Sequence, residues 1–233
     1  IRKYKKKYKK KLRLVHVSTD EVYGDLKKNE RSVETSSYKP SSPYSASKAS
    51  ADHLIKAYVR TYKIDAVISN CCNNFGPWQF PEKLIPTLIF NIFNNNPLPI
   101  YGKGQNSREW IFVEDHCKGL LKIYKNGKIG ESYNIGTGTN ITNLNLTKIL
   151  LNVVKKRKIK IGKKVKIKFV KDRPGHDFRY ALNSQKIRRQ LKWKPQKNFY
   201  QGLGETLDWY YENYEFFKSF SKRKFFKRLG LKL

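Results

Sequence analysis

The apolar pattern of this chain changes period several times. Residues 12–18 (LRLVHVS) form a short, β-branched, nearly continuous apolar run, which predicts a buried parallel strand. A turn-rich stretch from Gly24 to Pro43 follows, and then the period becomes helical across residues 45–63. There Leu54, Ile55, Tyr58, Val59 and Tyr62 share one stripe, the expected packing face. Residues 66–69 (AVIS) read as the next strand and close a strand–helix–strand unit, the crossover that parallel pairing requires. Beyond it the pattern predicts helices over 84–93, 116–125, 144–154, 184–191 and 202–214. Strands are expected at 98–101, 109–113, 132–135 and 166–170. This alternation argues an α/β fold.

Composition narrows the function classes. With 233 residues the chain can hold one or two domains, and its 15 Tyr, 13 Phe and 4 Trp are too many for a disordered basic chain. The 50 Lys and Arg against 18 Asp and Glu give a net charge of +32. The densest basic stretches, 3–13, 155–171 and 218–232, are read as solvated faces and tails. Salt-sensitive sticking to polyanions is expected, and no specific nucleic-acid partner. No apolar run reaches the roughly 18 residues of a membrane span. The 3 cysteines show neither metal-ligand spacing nor a disulfide framework, which points to packed thiols, no metal and a reducing, cytoplasmic compartment. There is no methionine, so the numbering is expected to start inside a longer protein.

Candidate chemistry gathers at the expected carboxyl ends of strands, where open α/β sheets bind ligands. Thr19-Asp20-Glu21 follows the first strand and Asn73-Asn74 follows the second. Tyr44 and Lys48 stand one turn apart on the intervening helix, and an ammonium beside a phenol favours the phenolate. Two adjacent carboxyls can serve as acid and base only if their environments separate their pKa values.

In order, Ser18 to Gly24 (STDEVYG), Pro43-Tyr44-Ser45-Ala46-Ser47-Lys48, Asn73 to Pro77 (NNFGP), Pro81 to Pro86 (PEKLIP), Tyr101 to Gly104 (YGKG), Arg108-Glu109-Trp110, Val113 to His116 (VEDH), Tyr133 to Gly136 (YNIG) and Asp172 to Asp177 (DRPGHD) appear. This set resembles the extended short-chain dehydrogenase/reductase family and, within it, the nucleotide-sugar dehydratases. The likeness runs over about residues 12–214.

The resemblance implies a partial Rossmann, NAD-binding parallel sheet over 12–80. A smaller interleaved α/β substrate-binding domain would span 81–214, with 111–136 returning to the sheet. Residues 1–11 and 215–233 would be basic extensions, the latter able to form an amphipathic helix through Phe220, Phe225, Phe226 and Leu229. It further implies 4,6-dehydration of a nucleotide-linked glucose, dTDP-glucose being the expected substrate, with NAD as cofactor. Tyr44 and Lys48 would take the 4-hydroxyl proton held by Thr19, Glu21 the C5 proton, and Asp20 would protonate the departing C6 hydroxyl. Tyr44, Lys48 and Asn74 would touch the cofactor. Asn73, Lys83, Leu84, Pro99, Ile100, Tyr101, Arg108, Asn143, Arg173 and His176 would touch the substrate, Lys83, Arg108 and Arg173 at the diphosphate. His16, His53 and His116 would be structural. A homodimer is expected through helices that include the Tyr44–Lys48 helix.

No glycine-rich GxxGxxG loop occurs in the sequence, so this chain alone is expected neither to bind NAD tightly nor to turn over. A UDP-glucose dehydratase, an epimerase, a decarboxylase and a non-catalytic, polyanion-binding remnant are the alternative readings.

Overall fold

The structure, a computed structural model, describes residues 1–8, 12–172 and 174–220. Helix α1 (Arg2–Tyr8) leads into β1 (Arg13–Thr19), a 3-10 turn at Asp20–Tyr23, α2 (Pro43–Tyr62), β2 (Asp65–Cys71) and β3 (Asn73–Phe75). Next come α3 (Leu84–Phe93), β4 (Leu98–Tyr101), β5 (Ser107–Phe112), α4 (Val113–Asn126), β6 (Ser132–Ile135) and β7 (Asn140–Thr142). Helix α5 (Asn143–Lys156), β8 (Ile167–Val170), α6 (Gln185–Leu191), α7 (Phe199–Glu212) and α8 (Glu215–Lys218) complete the order. The chain separates into two compact units. The first takes Ile1–Asn74, Asn106–Asn140 and Gly175–Gln196, and the second takes Phe75–Gln105, Ile141–Pro174 and Lys197 onward. The sequence returned only 111–136 to the first unit, whereas 175–196 lies there as well.

In the first unit β1, β2 and β6 form a parallel sheet in the order β1-β2-β6. Arg13 pairs with Asp65 and Thr19 with Cys71, while Ile68 pairs with Ser132 and Cys71 with Ile135. Parallel strands covered on both faces must be apolar on both, and Ala66, Val67, Ile68, Tyr133 and Ile135 are all buried. One face meets α2 through His16, Ser18 and Asn70, which bond to Asp52. The other meets α4, where a side chain on Gly127 would touch Val67.

Helix α2 departs from its expected packing. It starts at a capping box of Ser42 and Ser45 with Pro43 in the first turn. Its buried residues are Ser45, Ala49 and Asp52, whereas Leu54, Tyr58 and Tyr62 of the apolar stripe are exposed. The periodicity located a real apolar face, but most of it is not buried within the first unit. That face borders a cavity of about 1080 Å³ lined also by Arg2, Lys6 and Leu14. Within the expected basic extension, residues 2–8 form helix α1. Arg2 lies 3.6 Å from the centre of the Tyr62 ring, and Tyr4 packs on Tyr8.

The 3-10 turn after β1 closes at Gly24, whose amide donates to the Glu21 carbonyl at 3.2 Å. Gly24 has φ +79°, and an added Cβ would lie 2.2 Å from the Lys39 carbonyl oxygen. Both strain and collision oppose a side chain there. Gly24→Ala is therefore expected to cost about 1–3 kcal/mol, read as a lowered urea midpoint. An unchanged midpoint would contradict this account of the turn.

In the second unit β4 and β8 pair in parallel from Leu98–Ile167 to Tyr101–Val170. Helix α3 is apolar almost throughout and buries Ile85, Leu88, Ile89 and Ile92. An aromatic cluster joins α7 to α8: Tyr210 stacks on Phe217 at 4.7 Å, and its hydroxyl donates to the Gln79 carbonyl at 2.7 Å. Arg157, the residue capping the C-terminal end of α5, makes a two-pronged ion pair with Asp208 of α7, the Nη2–Oδ2 contact being 2.7 Å. Of the expected C-terminal helix, Phe220 packs on Phe80, while Phe225, Phe226 and Leu229 lie outside the described residues. No helix among the described residues is long and apolar enough to cross a membrane.

Candidate active site

The parallel sheet of the first unit sets Thr19, Asp20 and Glu21 at the end of β1, where the strand breaks into the 3-10 turn. Thr19 caps that turn: its Oγ1 accepts from the Glu21 amide at 3.3 Å and donates to Asp20 Oδ1 at 3.2 Å. Asp20 is 3 % exposed, and its Oδ2 has no hydrogen-bond partner. Burial, reinforced by the neighbouring Glu21 carboxylate, raises the Asp20 carboxyl to about 8. Glu109 pushes the same way, while Arg108 and the Thr19 hydroxyl oppose it. At neutral pH Asp20 is thus a carboxylic acid, with a proton to give and an unsatisfied oxygen. The adjacent Glu21 is only half-buried.

Tyr44, on the first turn of α2, faces this pair. Its hydroxyl is raised above the ordinary phenol range by burial first, then by Glu21, Cys71 and Asp20, with the Thr19 side chain opposing as a hydrogen-bond partner. The sequence expectation that Lys48 lowers this group is reversed. Lys48 Nζ donates to the Val17 carbonyl at 2.6 Å, while burial, ahead of the nearby acidic groups, raises Tyr44.

The structure brings Thr19, Asp20, Glu21, Tyr44, Lys48, Asn73, Asn74, Arg108 and His176 into one unit. Asn73 is half-buried, and Asn74 Nδ2 donates to the Cys72 carbonyl at 3.2 Å. Arg108 is buried rather than presented to solvent. Its guanidinium donates to the carbonyls of Ser107, Phe178 and Asp177 at 2.8, 3.1 and 2.7 Å and lies over the Tyr180 ring. His176 is half-buried.

Lys83, Leu84, Pro99, Ile100, Tyr101 and Asn143 belong to the second unit, and Arg173 lies outside the described residues. Lys83 is exposed, 3.8 Å from Glu82, whereas Ile100 is buried under Gly104. Leu84, Pro99, Tyr101 and Asn143 are half-buried. Cys71 and Cys72 are packed thiols, Cys71 pushed by burial to about 12, but Cys117 is exposed. His16 pairs with Asp52, His53 packs on Tyr38, and buried His116 is held neutral, its pKa lowered to about 4. No metal-ligand cluster exists among the described residues.

Sequence reasoning missed the roles of Glu109, quoted only as part of a motif, and of Asp52, which no motif contained. The available signal was an acidic residue in β5 directly before the apolar Trp110, Ile111 and Phe112.

Comparison with known proteins sharpens this geometry. A dTDP-glucose 4,6-dehydratase of Neisseria gonorrhoeae is 49% identical over 207 residues, covering 86% of this chain and 60% of that protein. The crystal structure of the Bacillus anthracis dTDP-glucose 4,6-dehydratase in complex with NAD superposes with a TM-score of 0.85. It is 42% identical and covers 93% of this chain and 67% of that one. The Streptomyces venezuelae dTDP-glucose 4,6-dehydratase DesIV, solved with NAD and TYD bound, gives a TM-score of 0.82 at 46% identity, covering 88% and 61%. The chain spans about 60% of the length of the curated relatives it matches. The family described as GDP-mannose 4,6 dehydratase matches residues 1–206, so the likeness also takes in residues 1–11, which the sequence had set outside it. With nearly nine-tenths of its length inside that match, the chain belongs to the GDP-mannose 4,6 dehydratase family.

Proposed function

We propose that the full-length protein containing this chain is a nucleotide-sugar 4,6-dehydratase acting on dTDP-glucose. The observation that carries the reading is a buried, protonated Asp20 beside a more open Glu21, with the Tyr44 hydroxyl within electrostatic reach of both. An epimerase needs no such acid pair. Tyr44 accepts the proton of the sugar 4-hydroxyl, which Thr19 orients. Swinging the Lys48 ammonium from the Val17 carbonyl toward the phenol oxygen favours the phenolate. Once C4 is a ketone the proton on C5 is acidic, and Glu21 removes it. Asp20 protonates the C6 oxygen, which leaves as water, and Glu21 returns a proton to C5 as C6 is reduced.

The residues present fit the nicotinamide end of NAD. Lys48 spends one ammonium hydrogen on the Val17 carbonyl, leaving others for a ribose diol, and Tyr44, Lys48 and Asn74 all act on the Cys71 thiol at the end of β2. When bound, NAD supplies the transient oxidation at C4 and the matching reduction at C6. The exposed α2 stripe of Leu54, Tyr58 and Tyr62 supports a homodimer through that helix, and the free thiols support a cytoplasmic setting.

The test is an assay of the full-length protein with dTDP-glucose and UDP-glucose in parallel, measuring the 4-keto-6-deoxy product directly. Product from dTDP-glucose at the higher kcat/KM is expected. A preference for UDP-glucose, or a 4-epimer as the product, overturns the assignment.

A further inference from the structure

Asp52 is a buried carboxylate that the proposed chemistry leaves without a task. It lies on α2 eight residues beyond Tyr44 and four beyond Lys48, so one helix face carries all three. Its side chain is fully buried. Oδ2 accepts from Ser18 Oγ at 2.8 Å, from the Tyr38 hydroxyl at 2.9 Å and from Asn70 Nδ2 at 3.2 Å. His16 Nε2 lies 3.1 Å from Oδ1. Burial works against the charge, yet the hydrogen bonds from His16, Ser18, Tyr38 and Asn70 outweigh it and hold the carboxyl below its usual range.

These partners are the last polar residues before the reacting groups. Ser18 immediately precedes Thr19-Asp20-Glu21. Asn70 also donates to the Thr19 carbonyl at 3.3 Å, and Cys71, its neighbour, donates to the Ser18 carbonyl at 3.4 Å. A single carboxylate therefore ties the helix face bearing Tyr44 and Lys48 to the ends of both β1 and β2. Through Tyr38 it also ties down the 25–42 segment. Tyr38 is itself packed between Tyr23 and His53 at ring distances of 5.3 Å. A partly satisfied buried network is costly, so a carboxylate meeting three hydrogen-bond donors, with the His16 ring 3.1 Å from its other oxygen, fixes its surroundings tightly.

We propose that Asp52 is a positioning residue for the dehydration: it sets the distance between the Tyr44 hydroxyl and the Asp20–Glu21 pair by locking α2 to the ends of β1 and β2. This rests on the function proposed above, but its test does not.

The readout is the titration of the Asp20 carboxyl by carbon-13 NMR in the 233-residue chain itself. Asp20 faces Glu21, Glu109 and Arg108, and the Asp52 charge is not among the influences on it. Asp52→Asn removes the charge and two acceptor geometries. Asp52→Glu keeps the charge and shifts its position by a methylene. Either variant frees the strand end and lets water reach Asp20. Its midpoint is expected to fall from about 8 by at least about half a pH unit in both. A midpoint unmoved in both, even with a lower melting temperature, makes Asp52 merely structural and overturns the proposal. So does a fall in Asp52→Asn that Asp52→Glu restores, since charge alone then explains it. If neither variant folds, Tyr38→Phe, which deletes one partner of four, decides: a smaller fall supports the proposal and none overturns it. A full-length protein without dehydratase activity would sink the reaction and leave this shift standing.

Discussion

Asp20→Asn makes the folded chain more stable at pH 8 and the full-length enzyme nearly inactive. The stability half follows from linkage. The folded carboxyl titrates at about 8 and the unfolded one near the ordinary aspartate value of 3.8, so between these the folded state holds the extra proton. The contribution of Asp20 is fully present below about pH 4 and is lost as pH rises toward about 8, where a buried charge must form. Asparagine has the same shape, can still accept from Thr19 and never ionises. The gain over the parent should therefore be near zero at pH 4 and grow to a few kcal/mol, on the order of 4, at pH 8. Urea denaturation at both pH values reads it. A gain equal at both would show that the Asp20 carboxyl is not the titrating group. The activity half follows from the missing proton: losing a general acid costs about 10²–10⁴ in kcat, with little change in KM. In the parent the same group should make kcat decline as pH rises through about 8. A variant that was stabilised yet fully active would leave Asp20 without its catalytic role. The combination of stabilised and inactive is the signature of a group kept at a cost to the fold.

Why Asp20 was legible in the sequence, and its environment was not, has a physical reason. Strands β1 and β2 announce themselves because each carries a short, β-branched apolar run. The acid pair announces itself because it follows such a run. What raises Asp20, however, is burial first, then the adjacent Glu21, and then Glu109, so the largest cause and one that stands nearly ninety residues away come only with the fold. The Tyr44–Lys48 spacing correctly placed both on one face, yet the sign of the Tyr44 shift was decided by burial first and then by Glu21, Cys71 and Asp20, which only the tertiary fold brings to it. Asp52 was invisible for a related reason. A lone acid in a helix carries no periodic signal, and its partners His16, Ser18 and Asn70 lie on strands. The α2 stripe shows the limit of periodicity itself, which tells that a face is apolar and not what covers it. In α1, Tyr4, Tyr8 and Arg2 make contacts that a count of lysines hides.

Arg31 and Glu109 offer the second large effect, and an asymmetric one. Glu109 is fully buried, whereas the Arg31 side chain is about one-third exposed at 32%. Arg31 pairs with Glu109 and also donates to the carbonyls of Leu182 at 2.9 Å and Gly138 at 2.7 Å. Glu109 in turn accepts from the amides of Leu182 and Gly138. Arg31→Leu strands a carboxylate with no route to water and two carbonyls without their donor. The loss should be about 3–5 kcal/mol. Glu109→Gln leaves a guanidinium that can turn toward solvent, and a neutral amide that still accepts from the two amides, so about 1–2 kcal/mol is expected. Joining the two changes should cost less than their sum, because the stranded charge is gone. Equal single-variant costs, or strict additivity, would mean that the pair is not a buried unit. The same Glu109→Gln change reaches the reaction. It removes one of the charges that raise Asp20, so the Asp20 midpoint, and with it the upper pH limit of dehydration, should move below about 8. The NMR titration of the chain and the pH profile of the full-length enzyme should shift together, and a profile that stays put while the Asp20 midpoint falls would transfer the acid role to another group.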